Sequence, residues 1–215
     1  MLTNSQETDS EEVDDVGASS STGSWKPQLH FVWTIIFNVY FSDKSGTNSA
    51  DRPPFQDFFR TVVDGTFSLL PLGYRLTSLI ESLFSNTSSP ERKYWGFQVF
   101  QKALPLLPVS QMPLIFTPNF MRSWINNLSS PDRYLHKIAQ QIAKQVQEVV
   151  KENPDSRIGF TLLSQLVGKH GRPDFDKVTK TKTVESIMGS LSGDGVTHYV
   201  EFLQGLILAR EEQNG

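Results

Sequence analysis

Ser88-Ser89-Pro90-Glu91-Arg92 and, 41 residues later, Ser129-Ser130-Pro131-Asp132-Arg133 are two copies of one helix-start signal. A third start, Thr117-Pro118-Asn119, lies between them. In each, a hydroxyl can accept a hydrogen bond from a free N–H of the first turn. Proline then fills the first helical position, where its missing N–H costs nothing. Glu91 and Asp132 add negative charge at the positive end of the helix dipole. An apolar stripe at helical spacing follows each start. A period of about 40–47 residues carrying two helices marks HEAT and armadillo repeats. The pattern predicts an all-α fold, a HEAT/armadillo-like α-solenoid of antiparallel helix pairs, which offers surface for partners rather than a pocket for chemistry.

Outward from these starts, three- and four-residue apolar steps place eight helices. Pro27–Phe41 carries Leu29, Val32, Trp33, Ile36, Val39 and Tyr40. A second helix starts near Phe55, with Phe58, Phe59, Val62 and Val63 as its apolar side. Pro90–Leu104 includes Trp95, read as a buried ring, and Pro105 and Pro108 stop it. Pro118–Leu128 offers Phe120, Met121, Trp124, Ile125 and Leu128, and Pro131–Lys151 offers Leu135, Ile138, Ile142, Val146 and Val149. Ser156–Gly168 carries Ile158, Leu162, Leu163 and Leu166, and residues 168–176 read as a loop. Thr181–Leu191 follows, then a turn at Gly193-Asp194-Gly195, then Thr197–Arg210. Val200, Leu203, Ile207 and Leu208 leave that last helix without the polar cap a terminal repeat needs, so the isolated chain is expected to be helical and to self-associate.

The chain has 215 residues and a formal net charge of −3. Residues 1–24 hold six acids and no Lys or Arg, so the remainder is mildly basic. The tail's polar composition cannot bury enough surface to offset its ordering entropy. It reads as a disordered acidic tail over 1–24, ahead of a helical-repeat domain over 25–215. With no cysteine, disulfides, thiolate catalysis and Cys-based zinc sites are excluded. An intracellular location is expected, without secretory signal or membrane span. The glycosylation-like triplets at Asn86 and Asn127 read as chance matches.

No catalytic constellation, metal site, cofactor or small-molecule substrate emerges. His30, His136, His170 and His198 form no metal-ligand pair, and Asp174-Phe175-Asp176 reads as a solvated turn rather than a metal pair. One patch stands out: Lys169, His170, Arg172, Lys177, Lys180 and Lys182 cluster around one loop. A basic cluster is the electrostatic footprint of phosphate binding, and Lys169, Arg172, Lys177, Lys180 and Lys182 are the candidate nucleic-acid contacts. The competing reading is structural. In it, Thr179 or Thr181 caps a helix and the lysines stand free in water.

Several strings together resemble the DNA polymerase V / DNA polymerase phi family, which includes the nucleolar Myb-binding proteins. They are Ser88–Phe97, Phe116–Arg122, Asp132–Lys137 and Gly171–Glu185, whose Thr-Lys-Thr-Lys-Thr-Val-Glu run is the most specific part. The resemblance covers residues 28–64 and 81–208. It implies a nucleolar (nuclear), HEAT-like protein acting in ribosomal RNA gene transcription and ribosome biogenesis. The implied partners are ribosomal DNA or pre-ribosomal particles and nucleolar proteins, and DNA binding is expected. Despite the family name, no acidic metal site for a polymerase is visible. A DNA-directed DNA polymerase and an armadillo-type peptide-binding adaptor are the alternatives. Family members are far longer, so the chain resembles a piece of the N-terminal half. They also run from a Val-Val-Asp-like end directly into Glu-Ser-Leu-Phe, whereas residues 65–80 separate Asp64 from Glu81 here. That segment has one charge, both Pro71 and Gly73, and no clean period. Gly65-Thr66 can be encoded with an internal GT, and Leu76-Thr77 with the branch-point-like CTAAC. The segment therefore reads as an insertion, a translated intron of a fungal-type gene.

Overall fold

The computed structural model describes residues 28–41, 54–64, 83–153 and 155–214. The expected acidic tail over 1–24 and the expected insertion over 65–80 lie outside the described residues. Among those described, every regular element is a helix, and none is long and apolar enough to cross a membrane. Helix α1 is Phe31–Phe41, and its first turn is held by the His30 ring, which accepts from the Val32 amide at 3.3 Å. Helix α2, Phe55–Phe58, runs into a π-helical stretch, Phe59–Asp64.

Helix α3, Pro90–Ala103, starts as its sequence predicts: Ser89 accepts from the Arg92 amide and Pro90 occupies the first position. The Ser89 hydroxyl also hydrogen-bonds the Glu91 carboxylate, which holds Glu91 below the usual carboxylate range. After α3 come two 3-10 segments, Leu104–Leu106 and Val109–Ile115. The second was not foreseen. Pro113 within it rules out a regular α-helix, yet Met112 and Ile115 are buried. Helix α4, Pro118–Leu128, begins after Thr117, whose side chain makes no capping bond.

The second copy of the start signal behaves differently. Residues 131–135 form turns, and helix α5 is His136–Glu152, five residues later than Pro131 predicts. The reason lies in what pins the connection. The His136 ring is bonded to the Asn127 carbonyl at 2.8 Å, Leu135 is buried, and the Ser130 carbonyl accepts from Arg133. The backbone around Pro131 is thus used for a turn. The Asn127 amide is engaged as well, donating to the Ser123 carbonyl.

Helix α6, Ser156–Val167, is capped by Asp155, which accepts from the Arg157 amide at 3.0 Å. The helix expected over 181–191 is the shorter α8, Thr183–Met188, and it is preceded by a helix the sequence did not predict, α7, Phe175–Thr179, which begins inside the expected 168–176 loop. The turn expected at Gly193-Asp194-Gly195 is the start of α9, Gly193–Asn214. Ser192 explains it: its hydroxyl accepts from the Gly195 amide and its carbonyl from Val196.

The core is a chain of rings. Phe84, Phe97, Phe100, Phe116, Phe120 and Trp124 meet with centroids 4.0–6.1 Å apart. The Phe84 ring packs so closely on α3 that a Cβ at Gly96 would sit 2.7 Å from it. Among the described residues Trp124, not Trp95, is the fully buried tryptophan, with its Nε1–H donating to the Ala139 carbonyl at 2.9 Å. Trp95 is only half-buried. The stripes of α4, α5 and α6 are buried as predicted. That of α9 is not: Val200, Ile207 and Leu208 are exposed, while Tyr199 is buried and Phe202 stacks beside it.

Two observations show how α3 and α5 pack. Tyr94 and Ile138 line one groove, and Gln145 donates to the Gln101 carbonyl at 2.6 Å. Both pairs are 44 residues apart, so α3 and α5 run in the same direction, side by side.

Candidate nucleic-acid interface

The basic loop is built on a tight reversal after α6. The Arg172 amide donates to the Leu166 carbonyl at 2.8 Å and the Gly171 amide to the Gly168 carbonyl at 3.0 Å. A Cβ at Gly171 would collide with the Leu166 carbonyl, so only glycine fits without a shift. From this reversal Lys169 and His170 project into solvent. Phe175, buried against Trp124 at a centroid distance of 5.3 Å, then anchors α7 to the core. The loop is therefore held rigidly from both ends.

Asp176 organises the rest. Its carboxylate accepts from the backbone amides of Thr183, Val184 and Glu185 at 2.9, 3.1 and 3.0 Å, and from the Thr181 hydroxyl at 3.1 Å. This carboxylate is the cap of α8, supplied from seven to nine residues upstream. Lys182, which occupies the position before α8, has no capping side chain of its own. Asp176 was therefore misread as part of a solvated turn, and neither Thr179 nor Thr181 is the cap. The signal in the sequence is indirect: a helix preceded by lysine must take its cap from elsewhere.

The threonines form a ladder beneath the lysines. The Thr179 hydroxyl donates to the Phe175 carbonyl and lies 2.8 Å from that of Thr181, which accepts from Thr183 at 3.2 Å. Thr179 and Thr183 are buried, whereas Lys177, Lys180 and Lys182 are exposed. Lys180 closes α7 in the left-handed conformation, φ 55°, and is the one non-glycine residue described with positive φ.

The five candidate cations are not equivalent. Arg172 forms an exposed fork with Asp174, at 2.9 and 3.2 Å. Hydrogen bonding to Arg172 holds Asp174 below the usual carboxylate range and raises Arg172 further. Lys182 lies 3.4 Å from Glu185. Lys177 adds a weaker attraction to Asp174. Among the described residues the side chains of Lys169 and Lys180 make no hydrogen bond or ion pair, while the Lys180 backbone N–H donates to the Asp176 carbonyl. The two aspartates considered for a metal pair are thus both committed, Asp174 to Arg172 and Asp176 to the α8 amides. Among the described residues no group of three or more His, Asp or Glu converges as a metal site.

A family model described as DNA polymerase phi matches residues 1–215. The chain is 34% identical over 189 residues to the rDNA transcriptional regulator pol5 of Schizosaccharomyces pombe, covering 86% of this chain and 17% of that protein. It is 28% identical over 179 residues to the rDNA transcriptional regulator POL5 of Saccharomyces cerevisiae, covering 77% of this chain and 16% of that one. The chain thus spans about a sixth of the length of these relatives. No solved structure matches. A match along the whole chain, with a relative above 30% identity, places it without ambiguity: the chain belongs to the DNA polymerase phi family.

Proposed function

We propose that this chain is part of a non-enzymatic nucleolar protein acting in ribosomal RNA gene transcription and ribosome biogenesis. Its basic loop would touch phosphates of ribosomal DNA or pre-ribosomal RNA. The names of both relatives support the role in rDNA transcription. The observation that carries the nucleic-acid contact is Lys180. A left-handed residue other than glycine costs about 1–2 kcal/mol, and glycine would remove that cost. A cation stands there instead, exposed, beside Lys177 and Lys182 and on a frame fixed by Asp176. The parallel packing of α3 and α5 at a constant 44-residue offset supports a solenoid, because equivalent helices of successive repeats stack in one direction.

The test is a titration of labelled ribosomal DNA and RNA duplexes at two salt concentrations. Phosphate contacts predict sequence-independent binding that falls steeply with salt as counterions are released. Alanine at Lys169, Lys177 or Lys180 should lower the salt slope by about one unit each. Arg172 and Lys182 should contribute less, because each must first leave an acidic partner. Unchanged affinity and slope in the quintuple alanine variant would remove the loop as a nucleic-acid site. Primer extension by the full-length protein, abolished by Asp174→Ala, would instead favour a polymerase. Recovery of cargo peptides without ribosome-assembly factors would favour an armadillo-type adaptor. Imaging the tagged full-length protein tests the nucleolar location.

A further inference from the structure

We infer that the groove between the starts of α3 and α5 is a stacking site for an unpaired base of single-stranded RNA. It rests on the nucleic-acid reading above only for the class of partner, and uses none of the loop cations. The groove encloses about 340 Å³ and is lined by Tyr94, Tyr134, Lys137, Ile138 and Gln141. Its two rings come from different elements, Tyr94 from α3 and Tyr134 from the turn ahead of α5.

Three observations point to a base. Tyr134 is 63% exposed, although a tyrosine ring carries a large apolar face. It is displayed by the turn over 131–135, which stands where the start signal predicts the first residues of a helix that instead begins at His136. The lining also combines two aromatic rings with a cation: Lys137 is its one charged residue, and Gln141 offers an amide that can both donate and accept. Aromatic faces with a neighbouring cation and an amide form the combination that holds splayed-out bases and their phosphates. In the same turn Asp132 and Arg133 are both exposed and offset each other, leaving Lys137 to set the sign. An acidic peptide would use Lys137 but not the ring faces.

The experiment uses the full chain, with a fluorescein-labelled ten-nucleotide single-stranded RNA and the corresponding duplex as probes. Tyr134→Ala should weaken single-strand binding about 5- to 140-fold, the range for loss of one base–aromatic stack. Tyr134→Phe should bind within about twofold of the parent, because the ring face is kept. Neither change should alter duplex binding, since paired bases are already stacked. Adding Tyr134→Ala to the quintuple loop variant should weaken its remaining single-strand binding by the same factor, which separates failure of this site from failure of the loop. Parent-like single-strand affinity for Tyr134→Ala overturns the proposal. So does a Phe variant as weak as the Ala variant, or an acidic peptide that displaces the single strand while Tyr134→Ala binds that peptide normally.

Discussion

Replacing Asp176 by alanine tests whether the loop's acid is structural. The substitution removes the acceptor for three backbone amides, at 2.9, 3.1 and 3.0 Å, and for the Thr181 hydroxyl at 3.1 Å. A single ordinary cap is worth about 1 kcal/mol, in a range of roughly 0.5–2. Here one carboxylate serves most of the first turn of α8, and the dipole adds about 0.3–1 kcal/mol for a negative charge at that end. A loss of about 2–4 kcal/mol follows, less than four separate bonds because the site is only part-buried. For a chain of this size each kcal/mol moves the thermal midpoint by about 2–4 °C, so the midpoint should fall by roughly 4–16 °C. Urea titration followed by far-UV circular dichroism gives the free energy directly. Asp176→Asn keeps one oxygen acceptor and loses the charge and the Glu185 bond, so it should cost about half as much. Asp174→Ala, which breaks only an exposed pair with Arg172, should leave the midpoint where it was. An Asp176→Ala loss below about 0.5 kcal/mol, or equal losses for both aspartates, would refute the capping argument.

Lys180→Gly should leave stability unchanged or raise it by up to ~1 kcal/mol while lowering the salt slope of nucleic-acid binding, because it removes a left-handed lysine and its charge together. A clear loss of stability would show that the Lys180 side chain supports the fold. Trp124→Ala should cost about 3–5 kcal/mol, since its ring is fully buried and its Nε1–H serves the Ala139 carbonyl. Trp95→Ala should cost clearly less, and equal losses in denaturation would contradict the observed register of α3. Deleting residues 65–80 should preserve the melting midpoint, because the Val63 carbonyl already accepts from the Phe84 amide at 2.9 Å and the chain leaves and re-enters the fold at one point. An unfolded deletion variant would end the insertion reading, as would transcripts that keep the stretch in most mature messages. Val200→Glu with Ile207→Glu should suppress self-association in analytical ultracentrifugation without loss of helicity, since both side chains are exposed, at 46% and 60%. Oligomers that persist in the double variant would place the contact elsewhere.

The helices of the middle of the chain were legible because burial there follows one stripe. Leu135 just ahead of α5 and Ile138, Ile142, Val146 and Val149 along it form that stripe, and all five are buried. The ends were harder. Helix α9 has apolar residues over much of its surface, so its spacing does not say whether Val200 or Tyr199 faces α6; the structure buries Tyr199. Residues 109–115 carry a buried Met112 and Ile115 with no helical period, because Pro113 enforces tight turns. The basic loop shows a different failure. Cap signals are read from residues adjacent to a helix, whereas the cap of α8 arrives from Asp176 across the left-handed Lys180. Once that is known, the Thr-Lys-Thr-Lys-Thr run becomes readable. Its alternation is that of a short non-helical link with threonines inward and lysines outward, and Thr179 and Thr183 are buried while Lys180 and Lys182 are exposed. The two readings of the run were therefore never exclusive. The hydroxyl ladder and the Asp176 cap are what hold the lysines in fixed positions, so the structural role of the threonines is the condition for any phosphate contact by the lysines. The spacing of the two start signals follows the same logic. The signals lie 41 residues apart, whereas α3 and α5 start 46 residues apart. The turn over 131–135 accounts for that five-residue delay, and the same turn carries Tyr134, largely exposed, into the groove that Tyr94 also lines.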